Sequence, residues 1–260
     1  MHTASTGSKP KVIVFDVWAP FAYFRKPFTT TSALSFNFIP RSAIEGLIGT
    51  LLGIRRNDIF GALANAAIAV EILTEIKKIP FSINHTHSDF WNTINQYLNG
   101  DPTNKKKAFN ARTTMELLVD PKYRIYFCDT SNLNRRSLNQ QLEHALKNHR
   151  TVYTPYLGTS SMIAIASYLD TYDYDTVDKN IAEISNIIPY NGNLPDIVIE
   201  KDRTYAVEQN IPARLNQDRE LMSSFSAVYN PNGKSMKVRN IKVNSFDRNG
   251  IEVNFVTLPS

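Results

Sequence analysis

Residues 25–53 read RKPFTTTSALSFNFIPRSAIEGLIGTLLG and combine residue types that can hold the phosphates of a polyanion. Arg25, Lys26 and Arg41 supply cations for phosphate groups, while hydroxyl and backbone N–H groups supply donors for the remaining oxygens. The hydroxyls come from Thr29, Thr30, Thr31 and Ser32. The segment is therefore a candidate binding surface. Arg25 and Lys26 also have a simpler interpretation, because most exposed basic pairs are only solvated.

The apolar spacing predicts the elements that position these residues. The run LSFNFIP alternates apolar and polar residues, which indicates a strand that ends at the proline. Ser42 and Glu45 then stand three residues apart in front of an apolar run, the pattern of a capping box, so a helix should begin at Ala43. The positive end of the helix dipole at Ser42 is a natural position for a phosphate.

Gly46, Gly49 and Gly53 share one side of this predicted helix, opposite its apolar stripe. Each glycine costs about 1 kcal/mol relative to alanine within a helix, so a face without side chains needs a reason. Either another part of the chain packs there, which is the commoner use, or the backbone of a ligand approaches it. The pattern is not a phosphate loop, since no lysine follows the last glycine.

The chain carries a formal net charge of +5, which fits a polyanion partner but also occurs without one. Residues 170–202 hold eight carboxylates, so the basic residues concentrate elsewhere. One group follows the turn residues NGDP, and a second group lies near the end of the chain. These residues are Lys105, Lys106, Lys107 and Arg112, and then Lys234, Lys237, Arg239 and Lys242. The three successive lysines fit an ordinary loop tip as well as a nucleic-acid contact.

Composition narrows the class of protein. The chain has 260 residues, of which 42% are hydrophobic, enough for one large globular domain or two small ones. Cys128 is the only cysteine, so no intrachain disulfide forms and a reducing compartment is implied. No apolar run approaches ~18 residues, and residues 1–10 lack the apolar core of a secretory signal. We expect a cytoplasmic protein without a membrane partner, in which residues 1–10 are a disordered leader or a tag remnant.

The histidines and carboxylates do not form a recognisable catalytic set. His85 and His87 alternate on a predicted strand, but no third metal ligand accompanies them. His144 and His149 stand five residues apart on or near the second predicted helix, so they do not share one face. Neither a nucleophile elbow nor a pair of catalytic carboxylates is evident. We therefore expect a protein that is not an enzyme, with no metal and no cofactor.

The predicted elements over residues 11–170 follow the order strand, helix, two strands, helix, strand. The first strand falls in KVIVFDVW and should be buried on both faces, and the second helix should run over about residues 133–149. AIAVEILTEIKKIPFSINHTH is predicted as one long strand kinked at Pro80. This order is the split βαβ arrangement of ferredoxin-like domains, which RNA-recognition domains share with many unrelated proteins.

Residues 171–260 are predicted to form a smaller, mostly-β C-terminal part. Their turn sequences NPNG and DRNG are both strong hairpin signals. The sequence as a whole therefore predicts the α+β class.

Two stretches in order resemble one known family. Residues 25–53, followed by VYTPYLGTSSMIA at residues 152–164, resemble the fifth family of CRISPR-associated (Cas) proteins. This is the RAMP subunit that binds the 5′ end of guide RNA in type I Cascade. IPARLNQDRELMSSFSAVYNPNG, at residues 211–233, is similar to the C-terminal hairpin region of the type I-B members, so the resemblance covers most of the chain.

The resemblance implies a ferredoxin-like (RRM-like, RAMP) palm over residues 11–170, with an inserted β-hairpin thumb at about residues 89–119. It implies RNA contacts from the first motif and its glycine helix, from the second motif, and from the basic residues of the thumb. These contacts are Arg25, Lys26, Thr29, Thr30, Thr31, Arg41, Ser42, Gly46, Lys105, Lys106, Lys107, Arg112, Tyr153, Tyr156, Gly158, Thr159, Ser160 and Ser161.

The second motif has two features that qualify its role. Tyr153 and Tyr156 offer aromatic faces for unstacked bases, although a core or interface position is the usual one for a tyrosine such as Tyr156. Some relatives carry a basic residue just after the glycine of this motif, whereas this chain has Thr159 and Ser160. The resemblance therefore gives no cation at that point.

The function implied is that of a non-catalytic subunit of a type I, and specifically type I-B, Cascade complex, which binds and caps the 5′ handle of the crRNA. Its partners would be the crRNA 5′ handle, the Cascade backbone subunit and large subunit, and target DNA through the complex. Two other functions stay open. The chain could be a metal-independent endoribonuclease that processes precursor crRNA, as some relatives are, or a generic RRM-like RNA-binding protein.

The predicted thumb gives the first testable prediction. Deleting residues 99–107 and closing the gap with a short glycine linker should change the melting temperature by only a few degrees, because loop-tip residues have few buried contacts. The variant should fold yet fail to co-purify with guide RNA and partner subunits. An unfolded variant would place the segment in the core, and normal assembly would leave the lysines as a solvated tip.

Overall fold

A computed structural model of the chain describes residues 9–29, 33–86, 98, 110–129, 137–216, 218 and 220–259. Within these residues strands predominate, and two helices exceed two turns: α1 (Arg41–Leu52) and α3 (Leu138–Lys147). A helix of a single turn, α2 (Ile59–Ala62), lies between them. The predicted α+β class is confirmed, and α3 lies within the range predicted for the second helix. None of the helices described is long and apolar enough to cross a membrane.

The strands of the described residues are numbered in chain order. They are β1 (Lys11–Trp18), β2 (Phe21–Ala22), β3 (Ala66–Ile72), β4 (Lys78–Thr86), β5 (Asn110–Val119), β6 (Lys122–Asp129), β7 (Ile165–Asp173), β8 (Asp175–Ile184), β9 (Ile188–Tyr190), β10 (Ile197–Val198), β11 (Ala206–Leu215), β12 (Leu221–Tyr229), β13 (Met236–Arg248) and β14 (Ile251–Phe255).

A four-stranded sheet with the order β3-β6-β1-β7 forms the centre of the N-terminal region. β1 pairs antiparallel with β6 and β7, and β3 pairs antiparallel with β6. Along the chain, α1 lies between β1 and β3, and α3 lies between β6 and β7. The six residues inside β1 are all buried, which confirms the prediction of a first strand buried on both faces.

The two faces of this sheet have different covers. Ile13 and Phe15 of β1 belong to the main core, which also contains the apolar stripe of α1 and Leu142 of α3, so both helices cover this face. Val12 and Val14 point the other way, into a cluster built with β13 and β14. Aromatic rings from the two sides stack across that cluster. The stacked pairs are Tyr126 with Phe255, at 5.2 Å between ring centroids, and Tyr172 with Phe246, at 4.5 Å.

The remaining strands form three further sheets, ordered β10-β13-β14-β8, β11-β12-β9 and β2-β5-β4. The DRNG turn joins β13 to β14 as predicted, since Arg248 pairs with Ile251 across the turn. Asn249 and Gly250 both have positive φ, 55° and 82°, as a two-residue hairpin turn requires. That hairpin prediction is confirmed.

The second hairpin prediction, at NPNG, is wrong. A turn is present, but β12 pairs with β11 and β9, whereas β13 pairs with β8, β10 and β14. The turn packs against the connection after β3: Ile76 N–H donates to the Pro231 carbonyl at 2.9 Å, and a Cβ at Gly233 would lie 2.5 Å from the Ile72 carbonyl oxygen. This contact directs the chain from one sheet into another.

The single long strand predicted around Pro80 is also wrong. β3 ends at Ile72 in the central sheet, and β4 begins at Lys78 in the sheet β2-β5-β4. Pro80 does not kink a central strand, because β4 lies at the edge of its sheet, where a residue without an N–H group is tolerated. The two strands look continuous in sequence because both are rich in β-branched residues.

The N-terminus of α1 differs from the predicted capping box. The helix begins at Arg41 after Pro40, and no side chain caps its first turn. Glu45 instead accepts a hydrogen bond from Arg41 Nε at 2.9 Å, one helical turn earlier. The capping box between Ser42 and Glu45 is therefore wrong, since Glu45 is buried on the core side of the helix.

Arg41 is also buried, with 1% of its surface exposed. Its other nitrogens donate to the backbone carbonyls of Ala66, at 2.7 Å, and Leu258, at 3.2 Å. Burial raises the pKa of Glu45 to about 7, against the opposing effect of the Arg41 charge. The prediction that Arg41 presents a cation to a phosphate is wrong, because its guanidinium holds α1, the start of β3 and the C-terminal segment together.

This pair gives a prediction about stability. Arg41→Ala should lower the free energy of unfolding by about 3–5 kcal/mol, because it leaves Glu45 buried without its partner. Chemical denaturation measures the loss. The double variant Arg41→Ala/Glu45→Ala is the control, and its loss should be smaller than the sum of the two single losses. A loss below about 1 kcal/mol for Arg41→Ala would contradict the structural role.

Candidate nucleic-acid interface

The two sequence motifs meet in space although residues 54–151 separate them. The Tyr23 N–H donates to the carbonyl of Leu157 at 3.2 Å, which joins the end of the β2 segment to the second motif. The motif closes on itself, because the Leu157 N–H donates to Met162 and the Ala164 N–H donates to Pro155, both at 2.9 Å. The second motif is therefore a compact loop fixed against the residues just before Arg25.

Gly158 makes this close approach possible. Its φ is +94°, a conformation that L side chains rarely adopt. A Cβ built on it would lie 1.7 Å from the carbonyl oxygen of Tyr23, which is backbone and cannot move aside as a flexible side chain could. The structure thus explains this glycine by packing, and its contact with RNA stays a prediction.

Of the adjacent basic pair, Lys26 is held within the protein. Its ammonium lies 2.6 Å from Glu208 and 5.5 Å from the centre of the Phe36 ring, and only 16% of the side chain is exposed. Glu208 is held in turn by the side-chain amide of Asn37 at 2.7 Å. The prediction that Lys26 offers a free cation is therefore wrong, because the lysine links its segment to β11.

Arg25 has the opposite environment. It is exposed, and no carboxylate in the described ranges forms an ion pair with it. Its backbone pairs with Ser35, and its charge opposes the burial that raises the pKa of the neighbouring Tyr23. Arg25 thus supplies an available cation beside the joint with the second motif.

The hydroxyl cluster is described only in part. The N–H and hydroxyl of Thr29 both donate to the Lys26 carbonyl, at 3.3 and 2.8 Å, so Thr29 closes a turn. Thr30 and Thr31 lie outside the described residues. In the second motif, the Thr159 and Ser161 hydroxyls lie 3.1 Å apart, and Ser160 is exposed. These three side chains place hydroxyl groups on the loop that carries Gly158.

The helix glycines divide between the two predicted uses. A Cβ at Gly49 would lie 2.8 Å from the Ile59 side chain, so this glycine serves close packing against α2. Gly53 ends the helix with φ +73°. At Gly46, by contrast, nothing lies within 4 Å of a built Cβ, and the neighbouring Ser42 is partly exposed. Ser42 and Gly46 therefore form an open strip that an approaching backbone can reach.

Both tyrosines predicted for base stacking are exposed, Tyr153 by 57% and Tyr156 by 38%. The Tyr153 N–H donates to the Thr50 carbonyl at 3.0 Å, which fixes it beside the end of α1. Tyr156 pairs with Ile163 across the loop. The alternative of a core position for Tyr156 is excluded by its exposure.

A two-stranded arm stands beside this loop. The sequence predicted strand structure for the residues of both strands, but it joined the first, β4, to β3 as one long strand. β4 pairs with β5 over its whole length, from Lys78 opposite Leu118 to Thr86 opposite Asn110. Arg112 is exposed near the outer end, 3.4 Å from the Ser82 hydroxyl. Lys105, Lys106 and Lys107 lie outside the described residues. The alternation of Ile79, Phe81 and Ile83 with Pro80, Ser82 and Asn84 was the signal for a strand separate from β3.

The base of the arm, the Arg25 segment and the second motif share one small apolar cluster. Tyr23, Ala33 and Leu117 are buried there, with Met115 and Met162 packed against them. On the arm, Lys78 donates to the Ser35 carbonyl at 2.9 Å and to Glu116 at 2.8 Å. The three segments predicted to contact a nucleic acid therefore meet at one place, with Arg25 as its free cation among the described residues.

Two of the histidines lie away from this meeting place. His144 and His149 line one groove of about 910 Å³ between α1 and α3, although their spacing predicts different faces. His149 follows the end of α3 and has a positive φ of 50°, so the helical spacing no longer applies to it. His87 lies outside the described residues. In the described part of the chain, no three His, Cys, Asp or Glu side chains are grouped so as to hold a metal ion.

Comparison with known proteins gives one family and several similar structures. The family model described as CRISPR-associated protein (Cas_Cas5) matches residues 12–235. A CRISPR protein from Archaeoglobus fulgidus has a similar structure, with a TM-score of 0.50 at 12% identity over 94% of this chain and 99% of that one. This likeness shows the fold.

Two larger assemblies contain similar chains. A chain of a CRISPR RNA-guided surveillance complex matches with a TM-score of 0.49 at 11% identity, over 88% of this chain and 91% of that one. A chain of a type III-B Cmr-beta complex bound to cognate target RNA matches with a TM-score of 0.45 at 12% identity, over 87% and 86%. No curated protein matches in sequence.

The joint between the two motifs gives a prediction. A strained backbone conformation at one residue costs about 1–3 kcal/mol. Gly158→Ala should lower the free energy of unfolding by more than this, because the new methyl group also meets the Tyr23 carbonyl. Gly192→Ala is the matched control, since Gly192 also has positive φ but open space around it. Denaturation of both variants measures the difference. Equal losses would show that backbone strain alone, and not the close approach, fixes this glycine.

Proposed function

The chain belongs to the Cas5 family of CRISPR-associated proteins, and from this we propose that it is the non-catalytic subunit that binds and caps the 5′ handle of crRNA in a type I Cascade complex. We further propose the type I-B subtype, on the similarity of residues 211–233 to that group. The single observation that carries the proposal is the meeting of the Arg25 segment, the second motif and the β4–β5 arm at one place.

We propose that the central sheet with α1 and α3 is the ferredoxin-like palm. The order β3-β6-β1-β7 and the position of one helix after the first strand and one after the third support this assignment. The β4–β5 arm is then the thumb, and its first strand lies at Lys78–Thr86, before the range of 89–119 predicted from sequence. The strands from β8 onward would form the smaller C-terminal part.

The chemistry of the meeting place suits an RNA strand held in a fixed shape. Arg25 supplies the cation for a phosphate, and the hydroxyls of Thr159, Ser160 and Ser161 supply donors on the loop opposite. Tyr156 presents an exposed ring on which an unstacked base can lie. Further proposed contacts are Thr29, Thr30, Thr31, Ser42, Gly46, Arg112, Tyr153 and the lysines 105–107.

The proposed partners are the crRNA 5′ handle, the Cascade backbone and large subunits, and target DNA reached through the complex. The exposed apolar face of the arm, with Ile79 and Phe81, supports a further macromolecular contact on the thumb. We propose that the subunit does not cleave RNA. This rests on the residue types at the meeting place, where no described side chain is a histidine and the amine of Lys78 is paired with Glu116.

The palm contact gives a prediction for Arg25. Arg25→Ala should weaken binding of repeat RNA and reduce the slope of log K against log salt by about one unit, because one phosphate contact is lost. Titrations at several salt concentrations measure both effects. Arg239→Ala is the control, since Arg239 is exposed on β13 in another sheet. If Arg25→Ala leaves the slope unchanged, the phosphate assignment fails.

Sequencing the RNA that co-purifies with the chain and its neighbouring gene products separates the candidate functions. Uniform 5′ ends of repeat origin support the handle-binding subunit, whereas heterogeneous RNA would point to a generic RNA-binding protein. Incubating purified protein with repeat RNA and a chelator tests the remaining alternative. We expect the RNA to stay intact. If the chain cleaves the RNA at a specific position and His144→Ala abolishes this cleavage, the chain is a metal-independent endoribonuclease.

A further inference from the structure

A small cavity lies on the face of the central sheet that α1 and α3 do not cover. Its volume is about 180 Å³, and strands β1, β3, β6 and β7 line one side of it. Phe246 and Arg248 of β13 and Val253 of β14 line the other side. The cavity is thus enclosed between two sheets, and neither of the two sequence motifs contributes to it.

Charged and polar groups on the sheet side are held in a fixed network. Arg124 donates to both oxygens of Asp16, at 2.9 and 3.3 Å, so its guanidinium is committed to that carboxylate. Glu71 accepts from the Tyr126 hydroxyl at 2.6 Å and lies 4.0 Å from Arg124. A carboxylate offers about four lone-pair sites, so Glu71 keeps the capacity to accept further hydrogen bonds.

Arg248, on the opposite side, is a cation without a carboxylate partner among the described residues. It lies close enough to Tyr172 and Tyr126 for its charge to act on both phenols. Arginine presents its donors as a planar fork suited to recognising two acceptors at once. The Tyr172 hydroxyl takes one hydrogen bond from Arg248. The cavity therefore contains an arginine fork with N–H groups to spare on one side and an acceptor on the other.

The walls are aromatic and rigid. Tyr172 stacks on Phe246 with ring planes 19° apart, and Tyr126 stacks on Phe255 with planes 11° apart. Stacked rings lose little freedom on binding, so a flat ligand would meet a preformed site. Ser185 adds one hydroxyl to the lining, and the structure gives it no partner among the described residues.

Size and polarity together define the ligand class. Cavities for drug-sized molecules usually span about 300–1,000 Å³, so 180 Å³ suits a single ring system. The ligand must combine acceptors for an arginine fork with N–H donors for a carboxylate, on a flat and largely uncharged framework. We propose that this cavity binds one nucleobase, whose ring acceptors face Arg248 and whose N–H group donates to Glu71. This site does not depend on the proposed function of the palm.

The experiment titrates the purified full chain with GMP, CMP, AMP and UMP, and separately with RNA oligonucleotides of the four bases, by calorimetry or ligand-observed NMR. We expect saturable binding that falls at least about tenfold in Arg248→Ala, in line with the 1–3 kcal/mol of one bidentate base contact. Ser185→Leu, which fills the cavity, should abolish it. Arg239→Ala, on the same strand outside the cavity, and Arg25→Ala, at the palm, should keep it. Melting curves confirm that each variant is folded.

The two series of probes identify the source of the base. Binding of free nucleotides assigns the cavity to a soluble nucleotide, and binding of oligonucleotides alone assigns it to a base of an RNA strand. Either result supports the proposal if Arg248→Ala and Ser185→Leu both reduce it. The proposal is overturned if no nucleotide or oligonucleotide binds saturably. It is equally overturned if these two folded variants bind as the unsubstituted chain does.

Discussion

The close approach of Gly158 to the carbonyl of Tyr23 is the constraint on which the proposed RNA site depends. It fixes the distance between two segments that are far apart in sequence, and each carries a candidate contact two residues away, Arg25 on one side and Tyr156 on the other. Leu117 of the β4–β5 arm is buried in the same cluster as Tyr23. The position of the arm relative to the loop is therefore set by the same joint.

Charge is distributed in space differently from its distribution along the chain. Of the three cations in residues 25–53, Lys26 and Arg41 are paired with buried carboxylates, which leaves Arg25 exposed. Of the four basic residues near the C-terminus, Lys237, Arg239 and Lys242 lie on β13, whose partner β8 comes from the acidic segment. Lys237, for example, lies 2.8 Å from Glu200. Net charge therefore gives little guidance to the binding surface, because several of the cations are paired with carboxylates from distant parts of the chain.

The parts of the fold that sequence predicts correctly are those in which local pattern and final environment agree. The buried residues of β1 are an apolar run interrupted only by Asp16, α3 keeps helical spacing, and DRNG supplies the two positive φ values that its hairpin turn needs. Each of these signals is complete within about ten residues, so no distant contact was required to predict it.

The failures occur where a distant contact decides the outcome. Glu45 has the spacing of a cap, but it accepts a hydrogen bond from Arg41 in the core instead. The carbonyls of Ala66 and Leu258 hold Arg41 in that buried position. The NPNG turn was expected to join two paired strands. It packs instead against Ile72 of the central sheet, and the strand before it, β12, pairs with β11. The site shows the same division: its residue types could be recognised from the motifs, but which cations are free depends on Glu208 and Glu45.

The bond from Arg41 to the Leu258 carbonyl also has a consequence for how the chain reaches its native state in the cell. The two residues are 217 positions apart. At synthesis rates of about 5–20 residues per second, Arg41 leaves the ribosome roughly 10–40 s before its partner is made. During that time Glu45 and the Ala66 carbonyl are already available to the guanidinium, but the N–H group that donates to Leu258 must stay hydrated or find a temporary partner. The hydrogen bonds that hold Arg41 of α1 in place are therefore completed only after residue 258 has been made. The core of the N-terminal region thus includes a residue, Leu258, that is made long after α1, so folding of the two regions is coupled.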